Sequence, residues 1–342
     1  MPGRCPRPWP EPEVGRGIGH PLPAESPDGP WDAMHEELSR TGSAVLYAAM
    51  SGWLPEGAAE ADLRRRLGRD WRRYETFARP RMRQRFVASR LFLRHAAAAV
   101  LHTGPDLVDL AYQPGGRPYV RGCDQIDVSL SHTEEMMVVG ITRRGRIGVD
   151  VERADRRLAH TGSERQACTP YELRQLHAGG DAVRNDTMVR LWTLKEAYSK
   201  ALGQGLRFRF TQFGFALDGD GSGDHGGTGD HAGAARRAAD RGGEDIRLVR
   251  PDGTPVPGSE WQFGTFPTGD GYVVSVAVCD TGFGEVADLS VGTTLDDGLL
   301  DTLLGTPADG DNRSDGPAGL PGAGAPQVDP AARADGAGHR EP

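Results

Sequence analysis

Lysine is almost absent from this chain of 342 residues: of its 40 basic side chains only two, Lys195 and Lys200, are lysine, and the rest are arginine. Cysteine is scarce too. Cys5, Cys123, Cys168 and Cys279 have no CxxC spacing and are too few for a disulfide framework, so all four are expected to be reduced and structural. No run of about 18 apolar residues exists, which leaves no membrane span, and the Pro-rich start lacks the apolar stretch of a signal peptide. A cytoplasmic protein is expected. Apolar residues make up only 37% of the chain, below the usual ~45–50%, while 48 Gly and 25 Pro favour turns over element interiors. One core diluted by unstructured segments accounts for both numbers.

Those segments can be placed. Residues 1–41 carry prolines in clusters such as Pro6-Arg7-Pro8-Trp9-Pro10 without periodicity and are expected to be a disordered leader. The Asp/Gly/Ala/Pro-rich residues 291–342 read as a disordered acidic tail, and the Gly/Asp-rich stretch 218–245 as a flexible insertion. Neither the EF-hand nor the nonapeptide calcium pattern fits that insertion. Between these lie short strands at 43–50, 126–130, 136–141, 147–152, 261–265 and 272–278, and helices at 58–67, 74–101 and 186–202. The mixture lacks strict βαβ alternation, which predicts an α+β fold. Residues 60–94 hold 12 Arg against four acids, a locally basic face on a chain of net charge −8. Such a face suits phosphates or an acidic partner, and equally a plain solvated helix surface.

Four short stretches carry candidate chemistry. In Gly148-Val149-Asp150-Val151-Glu152 strand alternation turns the valines to one side and both carboxylates to the other. Two carboxylates on one face repel unless a cation joins them, and a hard divalent ion such as Mg²⁺ takes oxygen ligands of this kind. A bare Asp-x-Glu also occurs on ordinary strand edges. In Leu191-Trp192-Thr193-Leu194-Lys195-Glu196-Ala197-Tyr198-Ser199-Lys200, helical spacing buries Leu191, Leu194, Tyr198 and Leu202 and aligns Trp192, Glu196 and Lys200 on another face. Glu196 and Lys200 also suit a simple surface ion pair. The scarcity of lysine argues for more, because a compact, titratable ammonium does what guanidinium cannot. Ser129-Leu130-Ser131-His132-Thr133 ends a strand on hydroxyls and an imidazole, and Gly115-Gly116-Arg117-Pro118-Tyr119 is a turn with an arginine and an aromatic ring.

In this order and spacing the four stretches resemble the Sfp-type 4′-phosphopantetheinyl transferases, over about residues 83–278. The resemblance implies two similar α/β halves forming a pseudo-dimer, residues 42–142 and 143–290, with coenzyme A in the cleft between them. It implies Asp150, Glu152 and Glu196 as Mg²⁺ ligands and Lys200 as the cation beside the departing 3′,5′-ADP. Ser131 and His132 match the turn that contacts coenzyme A phosphates, and Arg117, Pro118 and Tyr119 match the adenine-side loop. Arg85 and Arg79 match basic residues that hold the 3′-phosphate. The implied reaction moves phosphopantetheine from coenzyme A to a serine of an apo acyl or peptidyl carrier protein, with Glu196 as candidate base. That is holo-acyl-carrier-protein synthase activity, serving fatty-acid, polyketide or nonribosomal peptide synthesis. A monomer is expected, with no nucleic-acid or membrane partner.

The chain departs from the family where an Arg-Phe-Phe-Ser segment usually precedes a glutamate. Here Arg165-Gln166-Ala167-Cys168-Thr169-Pro170-Tyr171-Glu172 keeps the acid without the paired aromatics. Two other readings use the same residues: a Mg²⁺-dependent nuclease, in which the Arg-rich helix holds DNA, and an inactive relative that binds carrier proteins. Nothing in the sequence assigns a role to Lys195.

Overall fold

A computed structural model describes residues 17–55, 57–203, 209–217, 246–257 and 260–280. The expected insertion at 218–245, the tail at 291–342 and residues 1–16 of the leader lie outside the described residues. In chain order the elements are β1 (Leu22–Pro23), α1 (Trp31–Thr41), β2 (Ser43–Ala49), α2 (Glu60–Leu67), α3 (Trp71–Glu75), α4 (Pro80–Val100), β3 (Leu110–Tyr112), β4 (Pro118–Val120), β5 (Asp127–Thr133), β6 (Met136–Thr142), β7 (Gly145–Arg153), α5 (Ser163–Ala167), α6 (Pro170–Ala178), α7 (Asp181–Ala201), β8 (Gly214–Leu217), β9 (Ile246–Val249), β10 (Trp261–Pro267) and β11 (Tyr272–Asp280). The mixed helix and sheet content is that of an α+β protein. Among the described residues no helix is long and apolar enough to cross a membrane.

Two sheets form the frame, one ordered β1-β2-β6-β5 and the other β10-β11-β7. Strand alternation explains how they share their side chains. On β6, Met137, Val139 and Ile141 pack with the α4 residues Phe92, Leu93 and Ala96 in one core, while Met136 and Val138 point the opposite way. There they meet Ile147, Val149 and Val151 of β7 and Val274, Val276 and Val278 of β11, so this cluster draws on both sheets. The other face of β7 and β11 is covered by α7 through Leu194, Ala197, Tyr198 and Ala201. Gly148 permits that approach: a Cβ at this position would lie 1.9 Å from the Ala197 carbonyl oxygen.

β5 and β7 run side by side without a backbone ladder between them. Instead the Asp127 carboxylate accepts from the Ile147 amide at 2.8 Å, and the Ser129 hydroxyl accepts from the Val149 amide at 3.1 Å. Arg117 completes the seam, donating to the Ile147 carbonyl at 2.7 Å, to Asp127, and to the Lys200 carbonyl near the end of α7.

Two expectations need correction. Residues 17–41 are not a disordered leader: β1 pairs in parallel with β2, and α1 buries Met34 and Leu38, one helical turn apart. The helix ends at Gly42, whose φ of 78° suits glycine and lets its N–H bond the Leu38 carbonyl. The single helix expected over 74–101 is two, α3 and α4. Arg79 is held extended (φ −90°, ψ 129°) by the following Pro80, which opens α4 at a position needing no amide hydrogen.

Lys195 lies wholly inside the protein. Its ammonium donates to Glu172 at 2.8 Å and to the carbonyls of Phe210 at 2.7 Å and Phe213 at 2.6 Å, matching its three protons. Glu172 in turn accepts from the amides of Thr169 (2.8 Å) and Phe215 (2.9 Å), so the pair ties α7 to the start of α6 and to β8. Lys195→Met leaves a buried carboxylate without its cation and should destabilise the protein by about 3–5 kcal/mol, read as a lower urea midpoint. Adding Glu172→Gln should restore part of that loss.

Candidate functional site

The face of β7 opposite its valines carries Asp150 and Glu152, and it is turned to α7, not to solvent: the two residues are 7% and 8% exposed. On α7, Glu196 and Lys200 stand one turn apart in the half-buried stripe expected for them, while Leu191, Leu194 and Tyr198 are buried. The seam brings Ser131 of β5 alongside. Lys200 Nζ, Asp150 Oδ1 and Ser131 Oγ form a closed triangle with sides of 2.6, 2.7 and 2.8 Å. Beyond it, Glu152 accepts from Thr133 Oγ1 at 3.2 Å and from the Arg153 amide at 2.9 Å, and pairs with Arg156. The Arg156 guanidinium sits 5.6 Å from the Trp192 ring centre.

Glu196 and Lys200 border a cavity of about 300 Å³ whose walls also include Arg117, Pro118, Ser129 and Leu130. Two of the expected cleft residues behave differently from the reading given them. Arg117 has its guanidinium engaged with Asp127 and two carbonyls, so it builds the wall. Tyr119 is exposed on the side of β4 away from buried Pro118 and is not part of that wall.

His132 follows Ser131 on β5. The residue is solvent-accessible, yet enough protein surrounds its ring that partial burial, followed by the positive charges of Arg85, Lys200 and Arg90, pushes its pKa down to about 4. The imidazole is therefore neutral at physiological pH and framed by cations. Arg85 donates from Nη2 to the Glu134 carbonyl at 3.4 Å, just past the end of β5. Arg79 is exposed at the start of α4, and no contact given by the described residues joins it to the cleft. Arg90 was not singled out by the sequence. It is 9% exposed, with its guanidinium 4.7 Å from the Phe86 ring and 5.0 Å from the Tyr112 ring. In so arginine-rich a stretch, no local signal separates this one from its neighbours.

Burial, and then the charge of Asp150, holds the Glu196 carboxyl above the usual carboxylate range. That mutual repulsion is what a cation between them relieves, and oxygen-only donors suit a hard divalent ion. The donor set fits such an ion in its chemistry. Among the described residues no three such groups gather in a metal-holding arrangement; Lys200 pairs with Asp150, and Arg156 with Glu152.

A strand-and-helix site of carboxylates, one lysine and a hydroxyl thus stands beside the cavity of this α+β protein. Residues 146–245 match the family model of the 4′-phosphopantetheinyl transferase superfamily. The chain is 30% identical over 183 residues to a phosphopantetheinyl transferase of Thraustochytrium, covering 49% of this chain and 64% of that protein. It is 31% identical over 178 residues to an L-aminoadipate-semialdehyde dehydrogenase-phosphopantetheinyl transferase of Eremothecium gossypii (49% and 62%). A putative 4′-phosphopantetheinyl transferase of Synechocystis is 29% identical over 136 residues (39% and 55%). The chain thus spans 55–64% of the length of these relatives.

The raised pKa of Glu196 has a consequence for stability. Below the ordinary glutamate pKa both folded and unfolded chains hold the proton; above it the unfolded chain releases the proton first, and the buried charge then costs the folded state stability. In metal-free buffer with chelator, Glu196→Gln should therefore be more stable than the unaltered protein at pH 7.5, and the gain should vanish towards pH 4. Urea unfolding at the two pH values checks this.

Proposed function

We propose that this protein transfers the 4′-phosphopantetheine group of coenzyme A to a serine hydroxyl of an apo acyl or peptidyl carrier protein, releasing 3′,5′-ADP. The observation that carries this reading is the meeting of Asp150, Lys200 and Ser131, from three separate elements, beside a cavity lined by Glu196 and Lys200, with Glu152 on the same face of β7 as Asp150. On this reading the chain consists of two related α/β halves, residues 42–142 joined by α1 and residues 143–290. Each would place one 21-residue helix, α4 or α7, on three antiparallel strands, with coenzyme A between them.

The carrier serine oxygen forms a bond to the β-phosphorus, and the bond from that phosphorus to the 3′,5′-ADP oxygen breaks. Glu196 takes the serine proton. A carboxyl already held above its usual pKa is a better base for that task than an ordinary glutamate. Lys200 stands beside the departing phosphate and stabilises the charge that builds there. Ser131 keeps the ammonium in place, and His132, with Arg85 behind it, receives coenzyme A phosphate. Pro118, in the cavity wall, flanks the adenine. Asp150, Glu152 and Glu196 would hold Mg²⁺, which when bound supplies Lewis-acid stabilisation of the diphosphate charge. The carriers would be those of fatty-acid, polyketide or nonribosomal peptide synthesis, met in the cytoplasm by a monomeric enzyme.

With Mg²⁺ and coenzyme A, the protein should add one phosphopantetheine to apo carrier proteins in an intact-mass measurement; no gain across acyl and peptidyl carriers refutes the assignment. Lys200→Arg should bind coenzyme A yet lose about 10²-fold in kcat, because a planar guanidinium does not fit the triangle with Asp150 and Ser131. Asp150→Ala should lose both activity and its response to Mg²⁺.

A further inference from the structure

Glu152 is held unevenly. One oxygen, Oε1, accepts from Thr133 Oγ1 at 3.2 Å and from the Arg153 amide at 2.9 Å, both parts of the sheet framework. The other, Oε2, meets Arg156. The carboxylate is thereby fixed by its first oxygen, and its second is occupied by a side chain of a different kind. Arg156 follows the end of β7, and its side chain is 44% exposed against 10% for that of Glu152. Its guanidinium also faces the Trp192 ring, which lies one helical turn before Glu196. The arginine side of the pair is open to water, which can take the carboxylate's place at the guanidinium.

We infer that Arg156 is an internal competitor for the divalent cation, a latch that occupies the Glu152 oxygen offered to the ion and leaves it for solvent when the ion binds. This rests on the proposed role of Asp150, Glu152 and Glu196 as cation ligands. Arg156 lowers cation affinity and keeps Glu152 neutralised and correctly placed between binding events. It touches no reacting atom and is a positioning residue. Lys200 occupies Asp150 in a similar way, but the catalytic proposal already uses it, whereas Arg156 has no part in that chemistry.

Direct binding of Mn²⁺ to the full chain without coenzyme A, followed by the electron paramagnetic resonance signal of the free ion, tests the inference. Arg156→Gln removes the charge and keeps most of the stem; it should tighten Mn²⁺ binding by about fivefold, while Arg156→Lys should stay near the unaltered protein. Mg²⁺ should also change tryptophan emission, and Trp192→Phe should lose most of that change. Unchanged or weaker Mn²⁺ binding by Arg156→Gln overturns the inference. If in that case Asp150→Ala still abolishes Mn²⁺ binding, the ligand assignment stands and only the latch falls. If neither the unaltered protein nor Arg156→Gln binds Mn²⁺, both fall.

Discussion

The seam between β5 and β7 governs everything the protein can do in its cleft. A strand edge left open exposes amides that must find acceptors, and β7 finds them in side chains of β5, not in its carbonyls. The pairs progress along both strands together: Asp127 with Ile147, Ser129 with Val149, then Ser131 with Asp150 and Thr133 with Glu152. The first two close the strands against one another. The last two are side chain to side chain, so the same register that joins the sheets also assembles the candidate site. Arg117 locks the closed end by holding Asp127, β7 and the last turn of α7 at once. Lys200 is therefore positioned twice, by its own ammonium and by its carbonyl.

Local periodicity made part of this legible in the sequence. The alternation in Val149-Asp150-Val151-Glu152 and the helical spacing of Trp192, Glu196 and Lys200 each depend only on neighbouring residues, and both faces came out as read. What those faces meet was not legible. Asp150 and Glu152 look like surface carboxylates until α7 covers them, and the covering depends on Gly148, whose missing side chain admits the Ala197 carbonyl. The partners of Arg117 are distant in sequence, so its role in the wall left no local trace. Helix α1 was hidden for another reason: it buries only Met34 and Leu38 among its apolar side chains, too few for a clear stripe beside a proline-rich start. The helix expected over 74–101 runs through Pro80, the residue at which α4 in fact begins.

The two lysines bring composition and geometry together. A chain that uses arginine almost everywhere retains lysine at two positions one helical turn and a residue apart, and both sites are shaped for a small tetrahedral cation. At Lys195 three acceptors, Glu172 and the carbonyls of Phe210 and Phe213, surround one nitrogen at 2.6–2.8 Å inside a fully buried space. A guanidinium spreads its donors in a plane and would place atoms where the Phe213 ring lies, 4.7 Å from that nitrogen. At Lys200 two acceptors converge at 2.6 and 2.8 Å, and its side chain remains 28% exposed. One ammonium is enclosed and serves the fold; the other borders a cavity and faces whatever enters it. The same local preference for a point charge thus has two causes, and the difference lies in what surrounds each nitrogen. Burial separates them: Lys195 has every proton satisfied by protein, whereas Lys200 stands at the cleft with room to meet a further anion.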